Sequence, residues 1–176
     1  LEEIGRYAES EGLPLHTHAD EQPREILECL DEHHCRPIEL LADAGCLTAR
    51  TTIVHATHAN DEELDLLAAA GARICACPTT EADLGDGFLR VQAVRERAIP
   101  LCIGSDSNMR IDPLEELREL EGIARRQTGR RGIFSTTDLL SIGSAEGARG
   151  LQLLDWAPIE VDVGHRSLAG VATEHV

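Results

Sequence analysis

The sequence contains no lysine, so its 16 basic residues are all arginine, set against 32 acidic residues for a formal net charge of −16. A chain this acidic repels polyanions, which excludes nucleic acid and anionic membrane surfaces as main partners. Aromatic residues make up only 2 % of the chain, so Leu, Ile, Val and Ala must fill its core. No apolar run nears the ~20 residues that a membrane span needs. None of the six cysteines (Cys29, Cys35, Cys46, Cys75, Cys77, Cys102) belongs to a C-x-x-C pair. With four of them inside apolar stretches, they read as small buried thiols of a reducing, cytoplasmic setting, not as a disulfide framework or a zinc cluster. Cys75 and Cys77 alternate along one run and are expected on the same face. What the sequence does have is a hydrophobic fraction of 42 %, enough for a packed core and too much for a disordered chain.

Four short apolar runs recur: Leu13–His18, Thr51–Ala56, Ala72–Cys77 and Pro100–Ser105. Runs of this length suit strands buried on both faces of a parallel sheet. The segments between them carry helical spacing. Ile26, Leu27 and Leu30 form one expected stripe, and Pro37 opens another containing Ile38, Leu40 and Leu41. Asn60 before Asp61-Glu62-Glu63 reads as a capped, acidic helix start, and Leu114, Leu117, Leu120 and Ile123 mark a longer helix after Asp112-Pro113. Strand–helix alternation defines an α/β fold with a parallel sheet. Four such units are half of an eight-unit barrel of about 250 residues, or a complete small doubly wound sheet. Periodicity does not choose between them.

Polar residues gather at the C-terminal ends of the four runs, the edge where parallel α/β folds build their sites. His16 and His18 project to one side of the first strand, and either or both suit a divalent metal, zinc being the natural ion for imidazole. Glu21, just past the strand, is placed to carry a proton. Two strand-end histidines and a helix-capping acid are the plainer alternative. His55 by itself reads as a hydrogen-bonded core histidine. Asp106 ends the fourth run, where an acid is costly to bury unless paired or metal-bound, with a helix N-cap as its alternative. Together, imidazoles and carboxylates at the ends of three strands point to a hydrolytic metal site.

The set H-T-H-A-D-E-Q (16–22), V-H-A-T-H (54–58), C-P-T-T-E-A-D-L-G-D-G (77–87) and G-S-D-S (104–107) resembles the amidohydrolase superfamily. Within it the likeness is greatest to the formimidoylglutamate deiminases of histidine degradation, and T-E-x-x-L-G-D-G is its specific part. The other motifs are shared with deaminases of guanine, cytosine and similar substrates. The likeness runs from about residue 1 to about residue 150. It implies a metal-dependent (β/α)8 barrel of TIM type, here strands five to eight, with one zinc ion, iron being the alternative. His18 and Asp106 correspond to metal ligands. Glu21 corresponds to the shuttle that moves a proton from water to departing ammonia, and His55 to the residue that orients the nucleophile and stabilises the tetrahedral intermediate. Asp106 also takes part in activating water. His16, His58 and Glu81 are substrate-proximal candidates. The implied reaction converts N-formimino-L-glutamate and water to N-formyl-L-glutamate and ammonia, in a cytoplasmic homodimer when full-length.

The sequence departs from that pattern. The superfamily's first-strand H-x-H pair and its upstream substrate-binding arginines and tyrosine are not in this chain, and Asn108 stands where a histidine is expected. The chain is therefore read as the C-terminal half of a larger enzyme, inactive alone. Residues 1–155 form the half-barrel, and residues 156–176 open a small β-sandwich through one or two strands in Ile159–Gly164. A deaminase of another amidine or aminated ring, and a non-catalytic half-barrel, are the alternatives.

Overall fold

The computed structural model describes residues 1–107, 111–153, 155 and 166. Four strands, β1 (Leu15–Ala19), β2 (Thr51–His55), β3 (Arg73–Ala76) and β4 (Leu101–Ile103), form one parallel sheet in the order β1-β2-β3-β4. This order decides what periodicity left open. A doubly wound sheet reverses its strand order at a switch point, whereas consecutive barrel strands pair in sequence. The sheet is of the barrel type, and β1 and β4 are its edges among the described residues.

The first strand starts at Leu15 and not at Leu13, because Pro14 between them has no N–H to give to the sheet. Pairing of β3 with β4 runs one residue past the strand, since Gly104 N donates to the Ala76 carbonyl at 3.0 Å. One row of the register joins His18, Val54, Cys75 and Cys102.

Helix α1 (Glu2–Glu11) precedes the sheet, and α2 (Pro23–His33) with α3 (Pro37–Asp43) connect β1 to β2. Helix α4 (Asp61–Ala70) leads to β3, and α5 (Pro78–Leu84) and α6 (Val91–Glu96) lead to β4. After β4 come α7 (Pro113–Thr128), α8 (Thr136–Ile142) and α9 (Ala145–Gly150). The expected starts are present. Asn60 Oδ1 accepts from Glu63 N at 2.8 Å, while the Glu63 carboxylate accepts from Asn60 N at 3.1 Å, a reciprocal cap on α4. Asp112 caps α7 through the amides of Leu114 and Glu115.

The core lies between sheet and helices, where Ile53, Ile74, Leu64, Leu67 and Leu120 are fully buried. The stripe expected on α2 is corrected: Ile26 is buried, but Leu27 is 67 % exposed and Leu30 is 38 % exposed. Helix α2 packs against α3, and a single position of its apolar face is buried. Leu114, in the first turn of α7, is likewise exposed. All six cysteines are free thiols. Cys75 and Cys77 do share a face, since a Cβ placed on Gly104 would lie 3.0 Å from one sulfur and 3.4 Å from the other. No described helix is long and apolar enough to cross a membrane. Asn108, Trp156 and the strands expected in Ile159–Gly164 lie outside the described residues.

Candidate active site

The strand ends bring His18, His55 and Asp106 together. His18 Nε2 lies 3.4 Å from Asp106 Oδ1, and the two imidazole rings are 5.2 Å apart between centroids. One donor atom from each of the three residues falls within 4.8 Å of the others. Strand alternation alone would not produce this arrangement. His55 is in register with Ala19, the neighbour of His18, so a regular β2 would send its side chain to the opposite face. Backbone conformation re-aims it: φ is +71° at His55 and +53° at Ala56, with Asp20 (+54°) and Asp106 (+48°) at the ends of β1 and β4 in the same left-handed region. Each such residue costs about 1–3 kcal/mol, and strain of this kind concentrates where function requires a fixed geometry.

The His55 ring is fully buried and held from behind. Its Nδ1–H donates to Glu81 Oε1 at 3.3 Å, and the same oxygen accepts from Cys77 N at 2.9 Å. Fixing the proton on Nδ1 turns the Nε2 lone pair toward the site. There Nε2 stands 3.6 Å from Glu21 Oε1 and has no hydrogen-bond partner. Burial opposes a charge on His55, yet Glu81, Glu21 and Asp106 outweigh it and push the imidazole pKa up. Glu21 is also raised, chiefly by burial, with the Asp86 carboxyl beside it adding to the effect and His55 and His18 opposing it. Burial raises Asp106, but the Ser107 amide and His18 more than offset this and hold it below the usual carboxylate range.

Glu21 is placed by its own loop. The Glu25 carboxylate, at the start of α2, accepts from the backbone N–H groups of Asp20 (3.2 Å) and Glu21 (2.9 Å). Behind that loop, one guanidinium ties three segments together. Arg36 donates through Nε to Glu63 Oε2 on α4 (2.7 Å), and through Nη2 to Asp20 Oδ1 (3.3 Å) and the His58 carbonyl (2.7 Å). Asp20 and Glu63 are both fully buried. One cation cannot neutralise two buried carboxylates. Burial and the adjoining Glu63 prevail over Arg36, and the Asp20 pKa is pushed up to about 8.

The remaining candidates divide. Glu81 belongs to the site through His55. His58 Nε2–H donates to the Asp86 carbonyl at 2.6 Å and buttresses the turn after α5. His16 Nε2–H donates to the Gly150 carbonyl at 2.9 Å, so its ring is engaged by α9 and does not join the His18–His55–Asp106 group. Two features were not singled out by sequence reasoning: Asp86, whose carboxyl interacts with that of Glu21, and the Asp20–Arg36–Glu63 network. The signal for Asp86 was its place between two glycines in the most specific motif. Arg36 left no comparable signal.

Two imidazoles and a carboxylate are a donor set suited to zinc or iron. The unpartnered, buried Nε2 of His55 fits a cation or a polar reactant in front of it. We expect His18→Ala and Asp106→Ala each to lower bound zinc per chain, and His16→Ala to lower it less, as read by metal emission spectrometry. Equal losses in the two histidine variants would remove the distinction between them.

A parallel sheet of barrel order, with imidazoles and carboxylates gathered at its C-terminal edge, defines a (β/α)-barrel-type protein with a candidate metal centre. The chain belongs to the amidohydrolase family, whose profile matches residues 1–155. It is 33 % identical over 154 residues to a 5-methylthioadenosine/S-adenosylhomocysteine deaminase of Halobacterium salinarum, covering 86 % of this chain and 36 % of that protein. It is 35 % identical over 159 residues to a formimidoylglutamate deiminase of Pseudomonas aeruginosa, covering 88 % and 35 %. Among solved structures, an adenosine deaminase of Xanthomonas campestris with bound zinc superposes with a TM-score of 0.80 at 25 % identity, covering 86 % of this chain and 35 % of that one. An amidohydrolase of Brucella melitensis superposes with a TM-score of 0.73 at 36 % identity, covering 79 % and 32 %. The chain thus spans about a third of the length of these relatives.

Proposed function

We propose that this chain carries the proton-transfer and part of the metal-binding machinery of a metal-dependent hydrolytic deaminase that acts on a formimino or similar C–N bond, N-formimino-L-glutamate being the first substrate to test. The observation that carries the reading is the convergence of Glu21, His55, His18 and Asp106 at one strand edge. His18 and Asp106 would hold the metal. Zinc supplies a Lewis acid and makes water acidic enough to ionise near neutral pH. Glu21, its pKa raised by burial, takes one proton from the attacking water as the oxygen bonds to the formimino carbon. It returns that proton to the terminal nitrogen, and the water's second proton, on the new hydroxyl, reaches the same nitrogen as the carbonyl forms and the C–N bond breaks, releasing ammonia and leaving the formyl amide. His55, locked by Glu81, presents Nε2 to the reacting oxygen and, when protonated, offsets the negative charge that develops there.

The T-E-x-x-L-G-D-G turn and the similarity to a formimidoylglutamate deiminase support the formimino substrate. Similarity to 5-methylthioadenosine/S-adenosylhomocysteine deaminases supports a second reading, deamination of an aminated ring. Ammonia release by the native protein that contains this chain, offered formiminoglutamate, methylthioadenosine, S-adenosylhomocysteine, guanine and cytosine, separates them. We expect the highest kcat/KM with formiminoglutamate. A preference for a ring substrate would favour the second reading, and no release from any of them would refute both.

A further inference from the structure

The T-E-x-x-L-G-D-G turn brings an acid into the site that the mechanism above leaves unused. Asp86 is only 6 % exposed, and its Oδ2 has no hydrogen-bond partner. Its carboxyl lies beside that of Glu21. Across His55, the Oε2 of Glu81, which is 1 % exposed, is likewise unpartnered. Among the described residues no arginine pairs with Glu21, Glu81 or Asp86. Among the described residues, Arg36 is engaged with Glu63 and Asp20, and Arg90 with Asp61 and the Ala59 carbonyl. With Asp106, four carboxylates face two imidazoles, and a divalent ion would offset only part of their charge. Leaving such groups buried without a cation is costly, unless the ligand supplies one.

The turn is also rigid. Asp86 N donates to the Glu81 carbonyl at 2.9 Å, and His58 Nε2–H fixes the Asp86 carbonyl at 2.6 Å. Gly87 sits at φ +122°, where a Cβ would lie 3.5 Å from the His58 ring. The Asp86 carboxyl is therefore held in place before any ligand arrives, which lowers the entropic cost of binding.

We propose that Asp86 is a specificity-determining residue that accepts hydrogen bonds from a cationic, N–H-rich amidinium or guanidinium group of the substrate on the Glu21 side of the site, with Glu81 supplying further negative potential from behind His55. This deepens the hydrolytic reading and rests on it, because the cation it selects is the group that would lose ammonia. A neutral isostere of the same shape leaves the carboxylate buried and unpaired and is rejected for that reason.

The test is binding, not turnover, and uses probes too small to depend on the substrate's tail. Methylguanidine and methylurea are titrated into the native protein that contains this chain, and into its Asp86→Asn variant, with zinc per chain measured in each. A charged hydrogen bond is worth at least about tenfold in affinity. We expect methylguanidine to bind the native protein at least about tenfold more tightly than methylurea. In Asp86→Asn that ratio should fall toward one with zinc content unchanged. Equal affinity for the two probes in the native protein would overturn the proposal without recourse to any variant. A preference that survives Asp86→Asn would overturn it as well. Either result stands whatever the substrate panel shows, so failure here and failure of the deaminase reading are separately visible.

Discussion

Glu21→Gln is expected to slow ammonia release by about 10²–10⁴-fold, the usual contribution of a general acid–base group, while zinc content stays at the native level. The substitution preserves shape and removes the ability to carry a proton. It does not dismantle the loop, because Glu25 holds that loop through the backbone amides of Asp20 and Glu21. Nor does it strip the metal, because the residues assigned to hold it are His18 and Asp106. The effect corresponds to about 3–5 kcal/mol in the barrier, and steady-state kinetics with metal analysis on the same sample would read both parts. Near-native turnover with zinc in place would mean that another group moves the proton.

Arg36→Leu is expected to be the most destabilising single change near the site. It strands the fully buried carboxylate of Glu63, takes a donor from Asp20, whose pKa of about 8 keeps it largely protonated near neutral pH, and releases the His58 carbonyl. Removing one partner of a buried ion pair costs about 3–5 kcal/mol. For a chain of this size that is a fall in Tm of about 6–20 °C. Adding Glu63→Leu to the same variant removes the stranded charge and should recover part of the loss. Thermal denaturation of the two variants side by side checks this. An unchanged Tm in Arg36→Leu would show that the network carries no net stability.

The parts of the site that lie near each other in sequence were legible. Short apolar runs placed the strands to within two residues at every end, Asn60 and Asp112 announced their helices, and the acids and imidazoles at strand ends marked the edge where the candidate site lies. What was not legible depends on geometry without a residue code. The left-handed backbone at His55 and Ala56 has no glycine to announce it, yet it accompanies the turn of that ring toward His18. Arg36 reaches across 16 residues to Asp20 and 27 to Glu63, and nothing local distinguishes it from the other arginines. Leu27 has the spacing of a core residue, but the helix that carries it packs against α3 and leaves it exposed. Residue type alone left His16 and His18 equivalent, the resemblance assigned the metal to His18, and in the structure the Gly150 carbonyl of α9 engages His16.

The account's central claim is that a metal held at this strand edge and a proton carried by Glu21 together release ammonia. The most direct test follows ammonia release by the native protein that contains this chain, on its preferred panel substrate, before chelation, after chelation and after zinc is returned. The account predicts loss of activity with the metal and recovery on its return, with Asp106→Ala remaining inactive at zinc concentrations that restore the native protein. Full activity in the metal-free protein would contradict it.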